Sequence, residues 1–393
     1  MTRKARLLAA CAHQPTDRVP LYHASISSRA ASLLLGREAH VGGAIQQWRE
    51  AVALWNGEQA HREFLQRTLR DTVEVAKALD VDLVRASYWR MPEKPTRKLD
   101  DHTFLYGDPD RSWRVMRFDP ETELYQVVDQ SQRPACPWAG AHVATAREPT
   151  EQDLEAQVER MERNLDDFDP RAAYFYADIA AVLQAFGGER AVAAIGVGVA
   201  VPNRSALWYE LVAARPDLVK RLVQVQTEHA LRRINAYAEM DVQLLLGGGD
   251  MASSQGPIYS PRFFREVMAP AFHRLTQACH AVGKYYFFAS DGDLWPIADD
   301  LFPVVDGFYE IDRRAGMDLR RLRERFPHLI LVGNLSSYTL HLGTKEQVIE
   351  ETLSCLQAAK ECGGIIVGAS NLIVPQTPEP NLRAMLDTLR DSR

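Results

Sequence analysis

The stretch Tyr285-Tyr-Phe-Phe-Ala-Ser-Asp-Gly-Asp293 decides the fold prediction. Its apolar start, Tyr285 to Ala289, is typical of a strand that is buried on both faces, and polar residues follow it directly. Similar apolar runs recur before and after it along the chain. The strand candidates are 18–24, 82–88, 192–199, 242–248, 284–290, 305–311, 329–333 and 364–369. Amphipathic helical patterns separate most of these runs, which predicts a parallel sheet with helical connections.

Eight strands that alternate with helices indicate an α/β fold of the (β/α)8 barrel type, and we expect one barrel domain over 1–393. A doubly wound open sheet is the alternative. That alternative lacks its usual phosphate loops, because neither G-x-G-x-x-G after the first strand nor G-x-x-x-x-G-K-S/T occurs. Residues 103–128 alternate with period two around Asp108-Pro-Asp110, which predicts a β-hairpin insertion after the second strand.

Composition argues against several classes of protein. The chain has 393 residues, of which 46% are hydrophobic and 25% charged, the ordinary balance of a globular protein. Its net charge of −6 argues against a nucleic-acid binder. Its apolar runs are shorter than the roughly 18 residues of a membrane helix, and the first of them is too short for a signal peptide. Because no Cys-x-x-Cys occurs among the five cysteines, a disulfide framework is not expected, and we expect a cytoplasmic protein.

Acidic residues follow several predicted strands at their carboxyl ends, where the active site of such a barrel lies. Asp250 follows the fourth strand, Asp291 the fifth, and Glu310 and Asp312 the sixth. Carboxyl groups gathered in a cleft raise one another's pKa, so one of them can stay protonated and act as a general acid. The same groups could hold a hard cation, and each alone could be a helix cap. We predict that Asp250, Asp291 and Glu310 are catalytic and that Asp293, which can cap the next helix, leaves Asp291 free for the ligand.

Other residues at the same strand ends are candidates for substrate binding. They are His23, Arg29, Tyr88, Arg90, Phe288, Asp312, Asn334 and Asn371. We predict no metal site of cysteine and histidine, because no His-x-Cys, Cys-x-x-Cys or His-Glu-x-x-His occurs. The nucleophile-elbow pattern Gly-x-Ser-x-Gly does not occur either, which disfavours an α/β-hydrolase.

Five segments, in order along nearly the whole chain, resemble the uroporphyrinogen decarboxylase superfamily. They are Asp17-Arg-Val-Pro20, Gly256-Pro-Ile-Tyr-Ser-Pro261, Phe288-Ala-Ser-Asp-Gly292, Gly333-Asn-Leu335 and Pro378-Glu-Pro-Asn381. The resemblance implies a (β/α)8 barrel and an enzyme. The superfamily contains the haem-pathway decarboxylase and methyltransferases that work with corrinoid proteins or thiol acceptors.

The sequence departs from both branches of that superfamily. The decarboxylase's R-Q-A-G-R-Y segment corresponds to His23-Ala-Ser-Ile-Ser-Ser-Arg29, in which only Arg29 matches, and its aspartate and histidine fall on Ser87 and Asn371. The His-x-Cys of the zinc-dependent methyltransferases falls on Ala289-Ser-Asp291, and their late cysteine also falls on Asn371. The comparison therefore implies poor turnover of uroporphyrinogen and no zinc-bound thiol acceptor.

Three functions stay open. The leading hypothesis is methyl transfer from a small methylated compound to a separate corrinoid protein, with Asp291 or Glu310 protonating the leaving heteroatom. Because the cobalamin-binding pattern Asp-x-His-x-x-Gly does not occur, we expect no tightly bound cofactor and a cobalamin supplied by the partner. The first alternative is cofactor-free decarboxylation, with Arg29 or Arg90 holding the substrate carboxylate. The second is a non-catalytic barrel that binds a small molecule or a protein. A homodimer is compatible with each.

Overall fold

The computed structural model of the protein describes residues 1–131, 150–203 and 206–393. Within these residues the strands are β1 (Ser25–Ile26), β2 (Leu83–Arg85), β3 (Arg97–Lys98), β4 (Thr103–Gly107), β5 (Trp113–Asp119), β6 (Leu124–Gln130), β7 (Ala191–Ala194), β8 (Leu244–Gly248), β9 (Ala252–Ser253), β10 (Gly256–Pro257), β11 (Tyr285–Ala289), β12 (Gly307–Tyr309), β13 (Ile330–Val332), β14 (Ile365–Ile366) and β15 (Leu372–Ile373).

The helices surround these strands. Over the same residues they are α1 (Arg3–Cys11), α2 (Ser28–Leu35), α3 (Ala44–Trp55), α4 (Glu58–Ala78), α5 (Glu151–Arg163), α6 (Tyr174–Phe186), α7 (Ala206–Ala214), α8 (Pro216–Ala236), α9 (Pro261–Phe263), α10 (Ala269–Ala281), α11 (Ala298–Leu301), α12 (Leu319–Arg325), α13 (Ser337–Leu342), α14 (Lys345–Cys362) and α15 (Glu379–Ser392). A π-helical turn, Phe264–Met268, joins α9 to α10.

Seven parallel strands form a curved sheet in the order β2-β7-β8-β11-β12-β13-β14. The segment around Leu21 lies between the two ends of this sheet. The Leu21 carbonyl accepts hydrogen bonds from the amides of Asp82 and Leu83 on one side, and Leu21 bridges Val367 in parallel on the other. This segment supplies the eighth position and closes the ring. The predicted α/β barrel is therefore confirmed, and the alternative of an open sheet is wrong.

The barrel strands are shorter than the apolar runs that predicted them. The run 192–199 contains only the end of β7, yet Val197 and Val199 beyond that strand are still fully buried. The loop that follows β7 is thus buried at these positions without strand pairing. An apolar run therefore reports burial, and the length of a strand depends on which neighbours it pairs with.

Successive residues of each barrel strand face opposite layers. Inward-facing residues such as Leu83 and Phe287 form one cluster, which also contains Leu7 and Cys11 of α1. Because α1 contacts the first residues of the strands, it closes the amino-terminal end of the barrel. Outward-facing residues such as Phe288 pack against the surrounding helices in a second, larger cluster. The opposite, carboxyl-terminal end of the barrel is called the mouth below.

The predicted β insertion is confirmed and is larger than a hairpin. Strands β3 to β6 form a four-stranded antiparallel sheet in chain order, so the insertion begins before residue 103 and ends after residue 128. Its predicted turn is present: the amide of Asp108 donates to the carbonyl of Ser112. The sheet has its own apolar core, which includes Phe104 and packs against Trp48 of α3. The insertion is thereby attached to α3.

Two further properties of the described residues bear on the sequence analysis. No helix among them combines the length and the hydrophobicity that a membrane span requires. Cys11, Cys279 and Cys355 are buried free thiols, and Cys362 is a half-buried free thiol. Cys136 lies outside the described residues.

Candidate active site

The mouth brings together the acidic residues that the sequence analysis expected to meet. Asp250 and Asp291 follow the neighbouring strands β8 and β11, and Glu310 follows β12, which pairs with β11. The negative charges of Asp250 and Asp312 raise the pKa of Asp291, and those of Asp291 and Asp250 raise the pKa of Glu310. The three predicted catalytic acids therefore share one electrostatic environment. Their role in catalysis stays a prediction.

Asp293 is the cap that the sequence predicted, whereas the ligand role of Asp291 stays a prediction. The side chain of Asp293 accepts a hydrogen bond from the amide of Trp295, 3.0 Å away, and so caps the turn that follows. Asp291 caps no turn among the described residues, and its Oδ2 accepts a hydrogen bond of 2.8 Å from Nδ2 of Asn371. Gly292 between them has φ +90°, and a Cβ there would meet the carbonyl carbon of Ala252 at 2.6 Å. Only glycine permits this positive φ and this close approach to Ala252, and the resulting turn gives the two carboxylates different positions.

Burial is the main reason that the pKa of Asp291 is raised to about 7. The negative charges nearby add to this effect, and the hydrogen bond from Asn371 works against it because it stabilises the carboxylate. Asn371 is one of the predicted substrate-binding residues, and the structure places it against the acid instead. A substrate that contacts Asp291 therefore also lies beside the Asn371 amide.

Glu310 is the second acid whose pKa is raised to about 7. Burial is again the main cause, and the positive charge of Arg85 opposes it. The Glu310 carboxyl makes no hydrogen bond or ion pair with the residues that the structure describes, and its backbone has φ +65°. A left-handed conformation costs a residue with a Cβ about 1–2 kcal/mol. Such strain is characteristic of sites where a side chain must point in one particular direction.

Arg85 is a candidate that the sequence analysis missed, because it lies within an apolar run. It is the last residue of β2, two positions after the inward-facing Leu83, so it points into the barrel. Its guanidinium donates a hydrogen bond to the carbonyl of Ala24 and lies 4.2 Å from the ring centroid of Tyr88. It makes no ion pair with any described carboxylate. The period of two along the strand is the signal that could have found it.

Tyr88 and His23, both predicted to bind substrate, lie near Arg85 on the same side of the mouth. Tyr88 is half-buried and packs against the guanidinium. His23 is buried, which lowers its pKa to about 4, so the ring is neutral at ordinary pH. Its Nδ1 accepts a hydrogen bond of 3.0 Å from the amide of Ala369, which assigns the ring proton to Nε2. Nε2 has no partner among the described residues.

The structure contradicts the predicted ligand contacts of Phe288 and Asn334. Phe288 faces outward and packs edge-on against Phe272 of α10, with ring centroids 5.1 Å apart. The alternation of the strand places Phe287 inside the barrel, so its neighbour must face the helices. Asn334 is buried, and its Nδ2 donates a hydrogen bond of 3.0 Å to the carbonyl of Met317. Both residues hold the scaffold together.

The structure also corrects the predictions for Arg90, Arg29 and Asp312. Arg90 is buried and forms ion pairs with Glu50 of α3 and Asp178 of α6. Its guanidinium is therefore paired within the protein and is not available for a substrate carboxylate. Arg29 is exposed on α2, where its charge acts on the turn between β5 and β6. Asp312 accepts hydrogen bonds from the two amides of the following turn and is a cap. Its charge nevertheless acts on Asp291.

The donor atoms at the mouth do not fit a zinc ion held by cysteine and histidine. Asn371 turns its amide nitrogen, a hydrogen-bond donor, toward Asp291, and Ala289 offers no ligand. Among the described residues, no three or more His, Cys, Asp or Glu side chains form a group that could hold a metal ion. That no such zinc is bound stays a prediction.

Comparison with known proteins assigns the family. Residues 155–392, more than half of the chain, match the family model of uroporphyrinogen decarboxylase. The chain therefore belongs to the uroporphyrinogen decarboxylase family, and the resemblance expected from the sequence is confirmed. Members of this superfamily are decarboxylases or methyltransferases, which places the protein among enzymes.

Two individual relatives illustrate the breadth of the family. A uroporphyrinogen decarboxylase from an Anaeromyxobacter species is 32% identical over 127 residues, which are 32% of this chain and 35% of that protein. The match thus spans about a third of that relative's length. The structure of a methyltransferase from Methanosarcina mazei aligns over 100% of this chain and 99% of its own, with a TM-score of 0.59 and 16% identity. This second likeness shows a shared fold.

Proposed function

We propose that the protein transfers a methyl group from a small methylated compound to a separate corrinoid protein, with a carboxyl of the mouth as general acid. One observation carries the proposal. Asp291 and Glu310 meet at the mouth, and burial raises the pKa of each to about 7. A carboxyl with such a pKa is partly protonated at neutral pH and is still acidic enough to give its proton away.

The proposed step balances as follows. The bond between the methyl group and its heteroatom breaks, and the electron pair stays on the heteroatom. The proton of Asp291 or Glu310 moves to that heteroatom, while the methyl group bonds to the nucleophilic corrinoid, which is a substrate brought by the partner. Because the negative charge of Asp291 raises the pKa of Glu310, loss of the first proton makes loss of a second less favourable. The pair therefore suits the delivery of one proton per turnover.

A small apolar pocket beside Asp250 supports a methylated substrate. The pocket has a volume of about 20 Å³, and its lining includes Met251, Tyr259 and Phe263. A single water-sized group needs about 10–15 Å³ by the same measure, so the pocket has room for one methyl-sized group. Apart from Asp250 and the hydroxyl of Tyr259, the lining is apolar and favours an apolar group. An apolar group bound there would lie next to the acids of the mouth.

Decarboxylation of a carboxylated substrate is the second candidate. It is favoured by the stretch of 127 residues that is 32% identical to a uroporphyrinogen decarboxylase. An acid at the mouth could protonate the carbon that loses carbon dioxide. Uroporphyrinogen itself is a poor fit, because its many carboxylates would face Asp250, Asp291 and Glu310, and like charges in a poorly solvated cleft repel each other.

One experiment separates the two candidates. Purified protein is incubated with a panel of small methyl ethers, methylamines and methyl sulfides and with free reduced cobalamin, and the demethylated product and carbon dioxide are measured separately. Methyl transfer predicts demethylated product, which should fall about 10²–10⁴-fold in Asp291→Asn or Glu310→Gln. Asp293→Asn is the matched control, because it removes the same charge two residues away and keeps the cap. Carbon dioxide without demethylation would favour decarboxylation, and full turnover in both acid variants would refute the acid mechanism.

A further inference from the structure

A second cavity lies beside the mouth, where the first barrel segment, β2 and α4 meet. Its volume is about 100 Å³, and most of its lining is apolar, including Val75 of α4 and Leu79, which directly follows that helix. Polar residues also line it, among them Tyr22, His23 and Arg85. We refer to this space as the β2–α4 cavity. Its polar side is formed by residues that the proposed reaction does not use.

The three polar side chains have hydrogen-bonding capacity that no described residue uses. Tyr22 and His23 are 3% and 6% exposed, and neither the Tyr22 hydroxyl nor Nε2 of His23 has a partner in the described parts of the chain. Arg85 has five N–H donors and uses one of them on the carbonyl of Ala24. Buried donors without an acceptor are destabilising and are uncommon in folded proteins. Two such donors, together with the half-buried guanidinium of Arg85, lie around one cavity and indicate a ligand that accepts hydrogen bonds.

The charge of the cavity lining narrows the class of that ligand. Arg85 brings a positive charge that no described carboxylate neutralises by direct contact, and the Nε2–H of His23 can only donate. The planar guanidinium matches the two oxygens of a carboxylate in a bidentate arrangement. At about 10–15 Å³ for each water-sized group, the measure used above, the cavity has room for a carboxylate and several further heavy atoms.

The position of the cavity relative to the acids indicates where the rest of the ligand lies. Arg85 lines the cavity, and its charge also acts on Glu310 at the mouth. The half-buried residues Tyr88 and Trp89 line the cavity as well. A ligand that binds Arg85 through its carboxylate would therefore extend toward Glu310 if it is too long for the cavity.

We infer that Arg85, together with Tyr22 and His23, forms a carboxylate subsite, so that the substrate is a small methylated carboxylic acid. Its carboxylate occupies the β2–α4 cavity, and its methyl-bearing heteroatom faces Asp291 and Glu310. The second half of this inference rests on the proposed function. The carboxylate subsite itself is a statement about binding and does not require turnover.

Binding of methoxyacetate and of methoxyacetamide to the purified protein, measured by isothermal titration calorimetry at pH 7, tests the subsite. The two probes differ only in the carboxylate. We expect methoxyacetate to bind about 10- to 100-fold more tightly, the ratio that a charged hydrogen-bonded pair supplies. Arg85→Met should remove this preference and leave the affinity for the amide unchanged. Arg85→Lys should retain part of the preference, because it keeps the charge and loses the fork.

Arg62→Met is the matched control. Arg62 is on α4, the helix that lines the cavity, but its side chain is 59% exposed, so this variant removes the same charge from the surface. It should keep the full preference for methoxyacetate. Circular dichroism confirms that each variant is folded. If Arg85→Met does not fold, the ratio of the two affinities is compared between the wild type and Arg85→Lys, and a smaller ratio in Arg85→Lys supports the subsite.

Three results would overturn the subsite: equal affinity of the wild type for both probes, the same loss in Arg62→Met as in Arg85→Met, or displacement of methoxyacetate by equimolar inorganic phosphate. The failure of the proposed function looks different. In that case the panel of methylated compounds yields no demethylated product, while the preference for the carboxylate and its dependence on Arg85 persist.

Discussion

Replacing Asp291 by asparagine should remove activity and, above neutral pH, make the protein more stable. The substitution keeps the shape of the side chain, and its amide oxygen can still accept the hydrogen bond from Nδ2 of Asn371. It removes only the charge and the titrating proton. The protein therefore separates two quantities that usually fall together when a buried polar residue is replaced, the rate and the free energy of unfolding.

The magnitude follows from the pKa of Asp291, which folding raises from 3.8 to about 7. A raised pKa means that the folded protein prefers the protonated carboxyl, so the wild type loses stability as the pH rises from about 4 to about 7. One pH unit corresponds to about 1.4 kcal/mol, and the difference corresponds to about 4 kcal/mol. Solvent contact at the mouth reduces the measurable part to about 1–3 kcal/mol. The gain of Asp291→Asn should therefore be small near pH 4 and reach its full size above pH 7.

Urea denaturation of the wild type and the variant, followed by the fluorescence of the seven tryptophans, checks this at pH 5 and pH 8. The variant should gain more relative to the wild type at pH 8 than at pH 5, and its turnover should fall about 10²–10⁴-fold. Asp293→Asn should change neither quantity, because asparagine caps about as well as aspartate. An equal gain at both pH values, or an equal gain in the control, would refute the assignment of the raised pKa to Asp291.

Three further predictions concern the mouth and the residues that the structure removed from it. The rate of the wild type should fall as the pH rises through about 7, because the general acid must be protonated; initial rates from pH 5.5 to 9 check this, and a flat profile would exclude Asp291 and Glu310 as the acid. Arg90→Met should lower the free energy of unfolding by about 3–5 kcal/mol, because Glu50 stays buried without its partner, and urea denaturation measures the loss. Phe288→Leu should cost on the order of 1 kcal/mol and leave KM unchanged, whereas a raised KM would return Phe288 to the site.

The acids of the mouth illustrate why a site of this kind reduces stability. Asp250, Asp291 and Glu310 repel one another, and Glu310 also holds a left-handed backbone conformation. The same features keep a proton available at neutral pH. The rest of the fold offsets this cost through the two apolar layers on either side of the barrel strands.

Local patterns in the sequence were sufficient for the barrel and for the acids that follow its strands. Apolar runs separated by helical periods depend on neighbours within a few residues, and a parallel sheet with helical connections brings the carboxyl ends of its strands to one side. The distinction between Asp291 and Asp293 was also local, because a cap bonds to the backbone two residues ahead. These features could be predicted since they involve no choice between distant partners.

Only the tertiary structure decided which polar side chains are free. Arg90 looked available in the sequence, and its partners Glu50 and Asp178 lie 40 and 88 residues away along the chain. His23 accepts a hydrogen bond from the amide of Ala369, which is 346 residues away along the chain. Its Nε2–H then has no acceptor among the described residues. Arg85, inside an apolar run, keeps a charge that forms no ion pair with a described carboxylate, and nothing nearby in the sequence indicates this. The free energy of a buried charge depends on the groups around it in space, and in a closed barrel these groups come from both ends of the chain.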